Sequence, residues 1–203
     1  MKKYQDRQSR REQIARAALT ILGEEGLQAL TMRLLARKIG LVPSAVYRHF
    51  QNKDEVLEAA FELVSARLAV LLRQASKSSK DAEEKLHFLL QNHLQIVVEQ
   101  PGVARLVFGS FAFSDDPLRR SKVRAIIDGY VSSVSAMIKQ GQKRGNFRKD
   151  VSAKAMAIMF LGLIQSPIIL HHVTDGSFSL IRQAQKVWSP FISGLRRQEN
   201  GHK

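Results

Sequence analysis

An all-α fold is predicted by three features of this sequence. Apolar residues recur at i, i+3, i+4 and i+7 in almost every stretch long enough to show a period. No stretch alternates apolar and polar residues between turn signals, as a half-buried strand would. Breakers and cap-forming residues, among them Gly26, Gly40, Pro101-Gly102 and Gly145-Asn146, divide the periodic stretches from one another. The expected architecture is about nine helices in two parts. A small three-helix domain with a helix-turn-helix occupies residues 1–53, and a larger helical bundle occupies 54–203.

The elements follow in order. Residues 1–11 are basic without an apolar period and read as a mobile arm. A first helix over about 9–25 carries Ile14, Ala18, Ile21 and Leu22 on one face, and Gly26 fits the position just past its end. Thr31 suits the N-cap of a second helix, which buries Leu35, Ala36 and Ile39 and stops at Gly40. A third runs over about 43–50, with Pro43 in its first turn and Val46 and Phe50 inward. Asn52 and Glu55 form a capping box for a fourth, reaching about residue 73. The polar, serine-rich stretch 74–81 is the best boundary by composition. Beyond it lie a helix over 83–99, a short apolar piece over 103–113, and a long helix over 117–144 capped by Ser114 or Asp115. Two more follow, over about 152–171 and 178–197.

Composition limits the chemistry. The chain has 203 residues and no cysteine, which excludes disulfides, thiolate metal sites and cysteine nucleophiles and agrees with a reducing cytoplasm. No apolar run follows the basic N-terminus, so no signal peptide is expected. The longest apolar run, 155–170, is interrupted by Gln165, Ser166 and Pro167 and falls short of the ~20 residues of a membrane span. Net charge is +14, and residues 1–53 hold eleven Lys/Arg against four Asp/Glu, which places half of that charge on a quarter of the chain. A polyanion is the natural partner for this end. No basic helix carries a spare apolar face for lipid, so no membrane partner is expected.

Residues 31–53, TMRLLARKIGLVPSAVYRHFQNK, combine charge and geometry. Two short helices meet at a glycine turn. On the second, Ser44, Tyr47, Arg48 and His49 fall outside the Val46–Phe50 stripe. A short helix with a narrow end, donors for base edges and donors for phosphates on its flanks suits a DNA major groove, although an ordinary αα-corner has the same spacing. Thr31, Leu35-Ala36, Gly40-Leu41, Tyr47-Arg48-His49-Phe50, Lys53 and Leu57 together resemble the DNA-binding motif of the TetR family of bacterial transcriptional regulators. More weakly, 145–150 (GNFRKD), Ala157 and 162–165 (GLIQ) resemble a C-terminal pattern of that family.

The resemblance assigns roles. Pro43, Ser44, Ala45 and Arg48 would face the groove, Arg48 pairing with a guanine or holding a phosphate. Arg33 would reach a base edge or a phosphate. Thr31, Tyr47, His49 and Lys53 match phosphate-contacting positions. Arg7, Arg10 and Arg11 would enter an adjacent minor groove or supply non-specific attraction. The chain departs from the family at Val42, where a hydroxyl cap is common, and at Ser44, where glycine is common, which puts in question the base sequence that is read.

For the C-terminal half the resemblance implies an effector pocket and a dimer interface built by the last two helices. Polar and aromatic residues embedded in apolar helices are the pocket candidates: His87, Gln91, Phe108, Phe111, Phe113, Tyr130, Gln165 and Ser166. Pro167 would add a freed carbonyl at Leu163. The interface candidates are Ala157, Phe160, Ile164, Ile181, Ala184, Trp188 and Phe191. His171-His172 lacks a carboxylate pair at ligand spacing, so neither metal nor cofactor is expected. No nucleophile, phosphate-loop, zinc or dinucleotide motif marks an enzyme. The sequence thus predicts a cytoplasmic homodimeric regulator, most simply a repressor. It would bind a palindromic duplex operator and be released by a small, hydrophobic or amphipathic effector. A helical interaction protein that no longer binds DNA, and an architectural protein that coats DNA without sequence preference, are the alternatives.

Overall fold

The computed structural model describes the backbone of residues 2–197 and the side chains of residues 7–197. The side chains of Lys2, Lys3 and Asp6, counted in the N-terminal charge, lie outside the described residues. Nine α-helices are present among them: α1 Lys2–Glu24, α2 Met32–Lys38, α3 Pro43–Tyr47, α4 Lys53–Lys77, α5 Ala82–Glu99, α6 Gly102–Leu106, α7 Pro117–Arg144, α8 Ala153–Val173 and α9 Leu180–Leu195. A π-helical turn, Val107–Ala112, continues α6. There is no strand among the described residues, only an isolated antiparallel bridge between Phe147 and Arg196. The fold is all-α, with an N-terminal helix-turn-helix followed by a helical C-terminal part.

The chain forms two compact units. The first comprises residues 1–68 and 97–124, the second residues 69–96 and 125–203. In the first unit, the predicted stripe of α1 (Ile14, Ala18, Ile21, Leu22) is fully buried, and so are Leu35, Val46, Val56 and Ala60 from α2, α3 and α4. The segment 97–124 belongs here because α6 packs on α1 backbone to backbone. A Cβ on Gly102 would stand 1.9 Å from the carbonyl oxygen of Leu19, and one on Gly23 would stand 2.9 Å from the Gly102 nitrogen. Two glycines allow that approach, and Arg105 Nη1 fastens it by donating to the Leu22 carbonyl at 2.9 Å. The second unit is centred on Tyr130, Phe147, Phe160 and Leu86. There the turn after α7 places Gly145 at φ 82°, and Gln142 Nε2 donates to the carbonyls of both Arg148 and Val151 at 2.9 Å.

Several elements differ from expectation. Residues 2–11 continue α1 as helix and do not form a loose arm. Arg, Gln and Glu are good helix formers without any apolar period, and Glu12–Arg16 adds an i,i+4 ion pair at 2.6 Å. Helix α4 passes through the serine-rich stretch to Lys77 because Ala75 is buried. The start of α7 is capped by Asp116, whose Oδ1 accepts from the Leu118 amide at 2.8 Å, and not by Ser114 or Asp115. At 21 residues, α8 is long and apolar enough to cross a membrane, longer than the run 155–170 suggested. Seven of its residues are built into the core and it packs along α9, as the central helix of a bundle does.

The glycine contact gives a direct test of the fold. Gly102→Ala is expected to destabilise the protein by about 2 kcal/mol or more, since backbone cannot yield as a side-chain tip can. Gly109→Ala, which has no atom within 4 Å of the new methyl, should be neutral. Thermal unfolding followed by circular dichroism distinguishes the two.

Candidate DNA-binding site

The site is assembled by three helix ends. Helix α2 starts at Thr31, whose side-chain oxygen accepts from the Leu34 amide at 3.1 Å. The hydroxyl proton is left to donate outward. The helix ends at Gly40, with φ 67°. The Leu41 amide donates to the Ala36 carbonyl at 2.8 Å and the Gly40 amide to Arg37 at 3.3 Å, a Schellman closure. Helix α3 then begins at Pro43 after Val42, which makes no side-chain cap bond. Helix α4 opens with the predicted Asn52–Glu55 cap, and only the return bond is shifted, to the residue before Asn52. Asn52 Oδ1 accepts from the Glu55 amide at 2.9 Å, and the Glu55 carboxylate accepts from the Gln51 amide at 2.8 Å.

These ends leave a polar outer surface. Thr31, Arg33, Pro43, Ser44, Tyr47 and Arg48 are exposed, while Ala45, His49 and Lys53 are half-buried. Tyr47 is 53% exposed, more than a packed aromatic would be. Lys53 Nζ donates to the Leu27 carbonyl at 3.2 Å, which holds the ammonium in place and leaves its other protons free. Below, Val46 and Phe50 are buried.

Arg11 is a site residue that sequence reading placed in the arm. Its guanidinium lies 4.1 Å from the Phe50 ring centroid and donates to the His49 carbonyl, so it fastens the chain just past the end of α3. A contact between residues 38 apart leaves no periodic signal. The His49 Nδ1 atom is buried without a partner. Burial first, then the positive charges of Arg7, Arg11, Arg10 and Arg48, lowers its pKa below 6.5. The imidazole is therefore neutral at pH 7, inside a positive field that favours a phosphate.

A cleft of about 450 Å³ in the same unit has the opposite character, being lined by Asp54, Glu55, Glu58, Glu62 and Asp116 with Arg11 and Arg119. Arg119 pairs with Asp54 at 2.7 Å and Glu58 at 3.2 Å, and Lys122 also bonds Glu58. The cleft's five carboxylates outnumber its two arginines, so it is unfavourable to phosphate.

The pocket candidates are distributed over both units. In the first, Phe111 is buried and stacks on Phe61 at 4.1 Å, Phe108 is half-buried and Phe113 is exposed. Ser110, between them on the π-helical turn, buries its hydroxyl without a partner, a feature no sequence pattern announces. In the second unit, His87 is half-buried against Trp188 at 4.8 Å, Gln91 is exposed, Gln165 is half-buried and Ser166 is exposed. Tyr130 is buried, its hydroxyl 3.3 Å from His93 Nδ1. His171 Nδ1 donates to the Phe178 carbonyl at 2.8 Å.

The interface candidates differ in their exposure. Ala157, Phe160, Ile164, Ala184 and Phe191 are consumed in the chain's own core, and Ile181 and Trp188 are half-buried. The apolar residues that α8 leaves exposed are Ile158, Met159, Ile169, Leu170 and Val173. A helix apolar on all sides does not announce from its sequence which face is spare.

Comparison with known proteins agrees with this geometry. Residues 14–60 match the family described as bacterial regulatory proteins, tetR family, and residues 61–194 match the YsiA-like protein, C-terminal region. The chain belongs to the TetR family and is a DNA-binding transcriptional regulator. It is 20% identical over 186 residues to the fatty acid metabolism regulator protein of Bacillus subtilis, covering 92% of this chain and 95% of that one. It is 28% identical over 180 residues to the nucleoid occlusion factor SlmA of Glaesserella parasuis, covering 88% and 89%. The crystal structure of FadR from Bacillus subtilis in complex with stearoyl-CoA superposes with TM-score 0.74 at 19% identity, covering 90% of this chain and 98% of that one.

His93 supplies a pH dependence. Burial lowers its pKa from 6.5 to about 4. Between those values the unfolded chain binds a proton that the folded chain refuses, so stability falls as pH falls through that window. The loss by pH 4 is expected to be about 2 kcal/mol. That is less than the full ~3 kcal/mol of the shift, because part of the residue keeps contact with water. Denaturant unfolding at pH 7 and pH 4.5 should show this decline, and His93→Phe should flatten it.

Proposed function

We propose that the protein is a homodimeric, cytoplasmic repressor. It binds a pseudo-palindromic operator through residues 31–53 and is released when a hydrophobic or amphipathic small molecule binds its C-terminal helices. In this division of labour residues 1–53 hold the DNA and 54–203 hold the partner subunit and the effector. The carrying observation is the outer surface of the helix-turn-helix. Thr31, Arg33, Ser44, Tyr47 and Arg48 present donors to solvent, and the side-chain nitrogens of Arg33 and Arg48 have no acceptor among the described residues. Arg48 reads a base, and Thr31, Tyr47, His49 and Lys53 hold phosphates. Arg48→Ala is expected to cost about 1–3 kcal/mol on the preferred sequence and much less on random duplex. Tyr47→Phe should weaken both by about 1 kcal/mol, having lost one hydroxyl donor. Unchanged operator affinity in both variants, by fluorescence anisotropy, contradicts the assignment.

The dimer rests on the exposed face of α8. Ile158, Met159, Ile169, Leu170 and Val173 recur at helical spacing, and Val173 is 72% exposed. Gly162 lies on the same face, and a Cβ built there would meet nothing within 4 Å beyond its chain neighbours and its own helix backbone. That opening admits the helix of a second copy, and an apolar stripe of this kind is what association removes from water. The double variant Met159→Glu, Leu170→Glu should sediment as a folded monomer and bind operator roughly 100-fold or more weakly, because two half-sites are no longer held together. A dimer persisting in that variant refutes the α8 interface.

The effector class is supported by the apolar character of the bundle and by the similarity to FadR with stearoyl-CoA. Stearoyl-CoA is the first probe, expected to weaken operator binding about 5–150-fold. The similarity to SlmA favours a second reading, a DNA-bound nucleoid occlusion factor. Unaltered transcription of genes beside the bound sites after deletion of the protein would favour it over the repressor.

A further inference from the structure

Val42 occupies the tip of the recognition helix and helps neither the helix nor its solvation. It is the N-cap of α3, at φ −82° and ψ 149°, and makes no side-chain cap bond. A hydroxyl or amide side chain there would satisfy a free amide of the first turn. Its isopropyl group is also 63% exposed. Pro43 follows, exposed and without an N–H to offer a phosphate. The end of the helix that enters a groove therefore presents two apolar groups in succession, then the Ser44 hydroxyl. Single exposed apolar residues are common on proteins. What distinguishes this one is its place, as the uncapped residue that opens the second helix of a helix-turn-helix, the end that meets base edges in that mode of binding.

In the major groove the one apolar group on display is the C5-methyl of thymine. We propose that Val42 is a specificity-determining residue whose isopropyl group, beside Pro43, packs on a thymine methyl in each half-site of the operator. The proposal rests on the DNA-binding reading above and adds a base to it.

The experiment replaces the methyl without altering base pairing. A duplex recovered from a random pool by the purified full-length protein is resynthesised with deoxyuridine in place of thymidine, one symmetric pair of positions at a time. Binding is measured for the wild-type protein and for Val42→Ser. One pair of positions should weaken wild-type binding about fourfold for each methyl removed, so about fifteenfold for both half-sites. Val42→Ser should bind the thymidine and deoxyuridine duplexes within twofold of each other. Because serine is the better N-cap, that variant should unfold at no lower temperature than wild type, so its lost discrimination would not report misfolding. Wild-type indifference to every deoxyuridine substitution, or full discrimination retained in Val42→Ser, overturns the Val42 assignment while leaving the DNA-binding reading intact. Failure to enrich any duplex overturns both.

Discussion

A helix of five residues does not hold its shape in water, because nucleation costs more than one turn of hydrogen bonds returns. Helix α3 is that short, and everything around it compensates. Val46 and Phe50 anchor it from below. The Gly40 turn fixes its entry, and Arg11 fixes its exit by holding the His49 carbonyl and covering the Phe50 ring. The recognition surface is thus an outcome of tertiary packing, and its orientation is inherited from α1. The same helix α1 packs closely against α6 at Gly23 and Gly102.

Charge follows the same frame. Arg7, Arg10 and Arg11 of α1 and Arg48 just past α3 act on His49, and carboxylates of α4 and the α7 start line the adjoining cleft, which Arg11 also borders. The sign separation is built within one unit and does not rest on the total of +14. Part of the acidic group is neutralised by Arg119 and Lys122, which tie the first turns of α4 to the start of α7. The helix that follows the recognition motif is therefore braced by ion pairs as well as by its apolar face.

What the sequence made legible was local. Thr31 as a cap, Gly40 and Gly26 in left-handed turns, the Asn52–Glu55 box and the α1 stripe each depend on residues within four or five positions, where propensity and spacing carry the information. What it hid was non-local or symmetric. The α6–α1 contact looked like a mere breaker at Pro101-Gly102. Arg11 looked like part of an arm. The spare face of α8 could not be told from its buried one, because alanine, phenylalanine and isoleucine surround that helix on every side. The hydroxyl of Ser110 is orphaned by a π-helical turn, which no residue pattern in 107–112 marks.

The central claim is that residues 31–53 read sequence as a two-fold pair. Selection of random duplexes by the purified protein at ~150 mM salt, where non-specific attraction is screened, tests it most directly. The account predicts enrichment of one inverted repeat whose half-sites are centred about one helical turn, ~34 Å, or a multiple of it apart. A folded protein that enriches no sequence, or only a single unrepeated half-site, would contradict it.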